Sequence, residues 1–309
     1  MKQFFVKFQK RSRKVIVLFC SLIMIQQGNA QILNPYGTSY FEDQYLSNPA
    51  MAGVPDQTLH LDAGYRKELL SVPGGPVNQY LSGTYGITDK VGLGLMIYND
   101  KAGLLGSTQV MGTYAYHFAL NSKKSQLLLG ISAGVLNEHV DNSAINGDVE
   151  DPTISEFNGR SYHFMADFGA AYTNGKLTVQ GALPGLPAYF NNDQQTVSDK
   201  TLLFSAVSYR LTLNPGGDEV TMEPKFCYRI IHGFDNILDA GADVSFLNNF
   251  IDFFGMYHTS KNATFGAGLN IKKRLKIMTI YTTGASALKG YTNGGFEIGL
   301  ALAMGKEAK

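Results

Sequence analysis

The chain has 309 residues, 12% of them aromatic and only 17% charged, with 34 Gly, 19 Phe, 17 Tyr and no Trp. So many glycines and so few charges, at a mean hydropathy of -0.07, exclude a helical membrane bundle, a disordered chain, a coiled coil and a collagen. The formal net charge is +1, but six of the 26 basic residues lie in the first 14, so residues 31–309 hold 25 acids against 20 bases, a balance that argues against nucleic acid as a partner.

Residues 1–14 are basic and free of acids, residues 15–25 form an 11-residue apolar run, and Gly28-Asn29-Ala30 puts small residues before Gln31. This is the order of a secretory signal peptide, too short to span a bilayer as a helix. Residues 1–30 are therefore expected to be removed, with Sec export across the inner membrane. Cys20 would leave with them, so Cys227 would stand alone and no internal disulfide can form. Residues 31–56 are read as a periplasmic N-terminal segment.

From residue 57 the pattern has period two. Tyr162, Phe164, Phe168 and Tyr172 alternate with His163, Asp167, Gly169 and Thr173, and Phe296, Ile298, Leu300 and Leu302 alternate with Gly295, Glu297, Gly299 and Ala301. Fourteen such segments are predicted: 57–66, 77–87, 91–99, 108–119, 125–136, 161–173, 176–183, 201–213, 219–231, 237–246, 250–258, 262–271, 274–283 and 294–304. Most have the length of a tilted membrane strand. Short connections (88–90, 121–124, 174–175, 214–218, 247–249, 272–273) alternate with mostly longer ones (67–76, 100–107, 137–160, 184–200, 284–293).

Tight turns on one side and long loops on the other are the pattern of an outer-membrane barrel. The fold class is thus all-β, an antiparallel transmembrane β-barrel of about 14 strands over residues 57–304, with short periplasmic turns and long extracellular loops, and a tail at 305–309. Closure is what hydrocarbon demands, because a sheet edge in lipid leaves backbone polar groups without partners. Asp62, Arg66, Glu223, Lys225, Arg229, Asp239, Asp243 and Glu297 are expected to face the lumen. Tyr85, Tyr116, Tyr162 and Tyr172 are expected in the interfacial girdles. A soluble β-sandwich or propeller is the competing reading, and Pro224 implies a bulge.

Enzymatic motifs are weak. Gly130-Ile131-Ser132-Ala133-Gly134 matches a serine-hydrolase elbow, but the alternation runs through it without a turn or helix. The six His show no metal-ligand spacing, no dinucleotide fingerprint or P-loop occurs, and no cofactor is expected. The acidic stretch 137–160 contains Asp141, Asp148 and Asp151 without EF-hand spacing. It reads as a solvated outer loop, with Ca²⁺ binding as the alternative. The short turns carry Lys90, Lys123, Lys124, Lys272 and Lys273, a basic bias suited to an acidic periplasmic partner or to solvation alone.

Asn48-Pro49-Ala50-Met51-Ala52-Gly53 opens a series of short motifs. Tyr65-Arg66, Pro73-Gly74-Gly75-Pro76-Val77, Gly92-Leu93-Gly94, Tyr98-Asn99-Asp100-Lys101-Ala102-Gly103, Tyr114-Ala115-Tyr116, Tyr209-Arg210 and Glu223-Pro224 follow in order. In this order the chain resembles the PorP/SprF family of type IX secretion and gliding-motility outer-membrane proteins of Bacteroidetes. It departs in lacking the Trp after Tyr-Arg and a terminal aromatic. The resemblance implies a non-enzymatic barrel that supports secretion or surface anchoring of adhesin-like cargo, and that meets both the cargo's C-terminal sorting domain and other type IX components. Partner contacts are assigned to Asn48, Pro49, Ala50 and Gly53 on the periplasmic side and to Asp141, Asp148 and Asp151 outside. A diffusion channel or hydrophobic-substrate transporter is the alternative.

Overall fold

The computed structural model describes residues 39–54, 58–122, 125–141, 152–159, 162–190, 201–213, 219–231, 235–284 and 293–305. Its strands are β1 (Leu59–Lys67), β2 (Val77–Thr88), β3 (Val91–Ala102), β4 (Leu105–Ser122), β5 (Ser125–Val140), β6 (His163–Thr173), β7 (Leu177–Leu183), β8 (Thr201–Tyr209), β9 (Leu211–Thr212), β10 (Thr221–Ile231), β11 (Ile237–Phe246), β12 (Ile251–His258), β13 (Asn262–Ile271), β14 (Leu275–Thr282) and β15 (Gly295–Met304). All pairings are antiparallel between neighbours, and β1 pairs with β15 from Leu59↔Met304 to Lys67↔Phe296, closing the barrel.

β8 and β9 are one strand broken at Arg210, so fourteen strands cross. Pro224 explains the break. β10 pairs with β9 at Thr221 and Met222 and with β8 from Lys225 onward, leaving Pro224, which has no N–H to give, in the interruption.

The faces are inverted relative to a soluble protein. Leu81, Leu95, Ile131, Phe253 and Phe265 on the outer wall are each more than half exposed, whereas Ser82, Thr113, Ser132, Lys225, Arg229, Asp239 and Glu297 inside are buried. An apolar belt of this extent is stable only against lipid. Tyr85 and Tyr162 lie exposed on the outside, and the Tyr116 ring packs 4.6 Å from that of Phe118. No helix among the described residues is long and apolar enough to cross a membrane.

Two expectations are corrected. Residues 100–107 are not a loop: β3 and β4 pair continuously to Ala102↔Leu105, and Gly103 at φ 61 supplies the left-handed turn position that a two-residue hairpin needs. Nor do residues 39–54 lie in the periplasm. A helical turn (Ser39–Glu42) and two 3-10 turns (Gln44–Leu46 and Pro49–Met51) fold into the lumen, where Tyr40, Phe41, Tyr45, Leu46, Asn48, Ala50 and Ala52 are all buried. The segment is an internal plug. Its aromatic side chains find apolar contact on the inner wall that the periplasm could not offer.

Candidate functional site

The site is the filled lumen. The plug starts in the loop-side part of the barrel, beside Asp239 and Arg229, crosses the middle, and ends at Gly53 by the turn between β2 and β3.

Its first residues meet β8 and β10–β14. The Tyr40 hydroxyl donates to Asp239 Oδ2 at 2.7 Å. The same oxygen accepts Arg229 Nε at 3.1 Å and a terminal nitrogen at 2.8 Å. His258 Nδ1 lies 2.6 Å from Asp239 Oδ1, and its Nε2 lies 2.9 Å from the Thr264 hydroxyl, which reaches Thr282 at 2.9 Å. Asp239 has no exposed surface, so each of its lone pairs must be met from within, and these groups meet them. Lys225 Nζ donates to the Phe41 carbonyl at 3.2 Å and sits 4.7 Å over its ring. That ring stacks on Phe254 at 5.3 Å. Lower down, Lys276 bridges Glu42 at 2.5 Å and Asp252 at 3.0 Å. Cys227 is a buried packing residue among Tyr40, Phe204 and Phe254.

The second half of the plug meets β2–β7. Asp43 accepts from Ser82 at 2.7 Å and caps the Tyr45 amide. Tyr45 bonds Thr113 at 2.8 Å, and Thr113 bonds Ser132 at 2.6 Å. Asn48 caps the Ala50 amide and donates to the Ala170 carbonyl and to Gln180. Here the wall is glycine. A β-carbon at Gly92 would overlap the Ala52 carbonyl, one at Gly130 the Pro49–Ala50 peptide, and one at Gly169 the Asn48 side chain.

The predicted residues are therefore distributed as follows. Asn48, Pro49 and Ala50 are buried against the wall, and Gly53, at φ 65, packs on Gly92. They form a plug seat and not a periplasmic contact surface, because they are buried and their hydrogen bonds run within the plug's own turns and, from the Asn48 side chain, to the barrel wall. Lys225, Arg229 and Asp239 gather around Tyr40 and Phe41. Arg66 pairs with Glu68 at 2.6 Å and stands opposite Glu297 across β1 and β15. Burial pushes the Glu68 carboxyl above its usual range, against the pull of Arg66. Glu223 is held by Arg210 at 3.0 Å. Asp62 and Asp243 are half-buried. Asp141 pairs with Lys101 at 2.6 Å on the loop side, while Asp148 and Asp151 lie outside the described residues.

Sequence reasoning missed Tyr40, Glu42, Tyr45, His258 and Lys276. Pro49 following Asn48 is a start signal for a helical turn, and it marked a folded segment where a free arm was expected.

Below the plug a cavity of ≈ 550 Å³ lies between plug and wall, lined by Glu42, Asp43, His60, Asp62, Lys176 and Arg210 among others. A smaller cavity of about 30 Å³ lies towards the loop side, between Tyr40, Leu46, Met96, Phe204 and their neighbours. Ser132 sits on a regular strand with its hydroxyl engaged, and among the described residues no group of His, Cys, Asp and Glu is arranged to hold a metal ion.

No curated protein matches the chain. Among solved structures it is similar to the outer membrane protein Omp33 of Acinetobacter baumannii, at 8% identity and a TM-score of 0.46 over 80% of this chain and 97% of that one. It is also similar to a mutant of the Rh. blastica porin, at 9% identity and a TM-score of 0.34 over 80% and 99%. Over residues 29–302 it matches the family described as Type IX secretion system membrane protein PorP/SprF, and a closed, lipid-facing barrel with that match belongs to the PorP/SprF family of the outer membrane.

Proposed function

We propose that this barrel is a closed, non-enzymatic scaffold of the type IX apparatus that supports secretion or surface anchoring of adhesin-like cargo through its rims, and that it is not a conduit. The observation that carries this reading is the plug. Residues 39–54 bond to both sides of the lumen and occupy its middle, which favours a filled barrel over an open one. Family membership implies interaction with other secretion components.

The loop-side rim, including Asp141 and the connections after β5 and β7, is the surface for cargo or its C-terminal sorting domain. The turn-side rim exposes Lys90, Lys176, Lys272, Lys273 and Arg274, which suits an acidic periplasmic partner. The mature chain of a Bacteroidetes-type bacterium would reach this place by Sec export. Ser132 supports no hydrolase, since a nucleophile needs a strained turn and a base, and its hydroxyl here bonds Thr113.

Planar-bilayer recording combined with purification from mildly solubilised outer membranes tests the proposal. The expected result is electrical silence together with recovery of other type IX components. A steady open pore in a barrel recovered alone favours the channel reading instead.

A further inference from the structure

Backbone strain gathers at one corner of the turn-side rim. Among the described residues, seven other than glycine have positive φ, and five of the seven lie in two turns. Leu247, Asn248 and Asn249, at φ 53, 57 and 65, join β11 to β12, and Lys272 and Lys273, at φ 54 and 56, join β13 to β14. The Asn270 amide donates to the Phe250 carbonyl at 2.8 Å, which sets the two turns side by side. Left-handed backbone is costly for a residue with a β-carbon, and asparagine enters it more readily than leucine or lysine.

Both turns are closed by hydrogen bonds. The Phe250 amide donates to the Phe246 carbonyl at 2.9 Å, and the Arg274 amide to the Ile271 carbonyl at 3.1 Å. A tight hairpin turn with positive φ at both central residues is most often Asn-Gly. Here both positions are lysine, and both lysines are exposed. What they bring to the turn that Asn-Gly would not is two positive charges at the rim. Strain kept at such a position is a mark of a functional one.

The surroundings select the anion that these charges meet. The outer wall runs directly into both turns. Phe246 and Phe253, with rings 6.3 Å apart, lead to Leu247 and Phe250, which are 48% and 45% exposed, and Leu269 leads to Ile271. Lys272 and Lys273 follow Ile271 by one and two residues, about 3–7 Å of extended chain. The headgroup layer beside the hydrocarbon is about 5–8 Å deep. The lysines therefore stand at the level of the lipid headgroups. An acidic protein surface matches the lysines alone, whereas an anionic phospholipid matches them with its headgroup and matches Leu247 and Phe250 with its acyl chains.

We infer that the paired turns at residues 247–250 and 272–273 form a binding site for an anionic phospholipid of the leaflet that faces the periplasm. Lys272 and Lys273 hold its headgroup, and Leu247 and Phe250 pack on its chains. This site goes beyond the scaffold reading and does not rest on it. It assigns these two lysines to lipid and leaves Lys90, Lys176 and Arg274 for an acidic periplasmic partner.

The chain has no tryptophan, so Phe250→Trp places a lone fluorescent reporter in the site. The full barrel carrying it is reconstituted in vesicles of phosphatidylcholine and phosphatidylglycerol in equal parts, with bromine on the acyl chains of one lipid or of the other. Quenching is expected to give a preference for phosphatidylglycerol of about tenfold or more at low salt, weakening as salt is raised. Equal quenching by the two lipids overturns the inference. So does a reporter that neither lipid quenches, since the turns then stand in water.

Lys272→Asn combined with Lys273→Gly, in the same reporter background, separates charge from folding. Asn-Gly relaxes the turn, so the unfolding temperature should rise while the preference for phosphatidylglycerol falls to parity. A preference that survives this change overturns the role of the lysines. Equal quenching in the parent barrel, together with a periplasmic protein that co-purifies with the wild type and not with this variant, overturns the lipid site, gives the lysines to that protein and leaves the scaffold reading intact.

Discussion

The two sides of the lumen hold the same plug with a different balance of forces. Against β10–β14 the grip is ionic and hydrogen-bonded: Tyr40, Arg229 and His258 converge on one buried carboxylate, and Lys276 ties Glu42 to Asp252. Against β2–β7 no ion pair is made among the described residues: the 3-10 turn Pro49–Met51 lies in a hollow made by wall glycines, and Ser82, Thr113 and Gln180 add hydrogen bonds to that fit of shape. The charged side gives direction and register, because a buried carboxylate accepts only correctly placed donors. The glycine side gives close contact over backbone, which tolerates almost no added volume.

The comparison can be broken most sharply at Asp239. Asp239→Ala leaves Arg229 buried without its counter-charge, a loss of about 3–5 kcal/mol for a pair of this kind. A marked drop in thermal unfolding temperature in detergent should follow, with the plug half against β10–β14 gaining protease sensitivity first. Replacing both partners together, as Asp239→Asn with Arg229→Met, should recover a substantial part of that loss; if the double variant is no better than the single one, the pair is not the organising contact.

Tyr40→Phe keeps the ring against Phe204 and removes one hydrogen bond to a charged group, worth about 1.5–3 kcal/mol. Its effect should depend on Asp239, and a double-mutant cycle of the two positions reads that coupling. On the other side, Gly169→Ala pushes into the Asn48 side chain, with an expected cost of about 1–3 kcal/mol that does not couple to Asp239. Asn48→Ala removes the cap on the Ala50 amide and the donors to the Ala170 carbonyl and Gln180, with an expected cost of about 1–3 kcal/mol for buried groups left unmet. Conductance bursts in Gly169→Ala, absent from the wild type, would show the shape side to be the seal.

The barrel itself was legible because alternation is a local property. Each of the fourteen segments carries its own period-two signal, and lipid outside with a polar lumen inside makes that signal strong. The 100–107 connection was misread because its polar residues look like a loop. Only the cross-strand pairing of β3 with β4 shows that the strands continue to a hairpin at Gly103. The short β7 and the break opposite Pro224 likewise depend on where neighbours end.

The plug was the larger omission, and the reason is distance along the chain. Tyr40 finds Asp239, 199 residues away, and Asn48 finds Gln180, 132 residues away. No window of sequence contains both members of such a pair. The glycines at 92, 130 and 169 read as strand residues of small volume, and nothing local says that another part of the chain is pressed against them.

What the sequence determined alone is the membrane-facing cylinder, since the backbone's need for partners in hydrocarbon, the alternation of side chains and the alternation of short turns with long loops favour a closed barrel over a soluble sandwich or propeller. What the tertiary structure decided is that the cylinder is filled: which carboxylate meets which cation, which glycine receives which peptide, and where a strand such as β7 ends before its neighbours. Those outcomes follow from packing and buried charge between segments far apart, and such terms exist only once the sheet has closed.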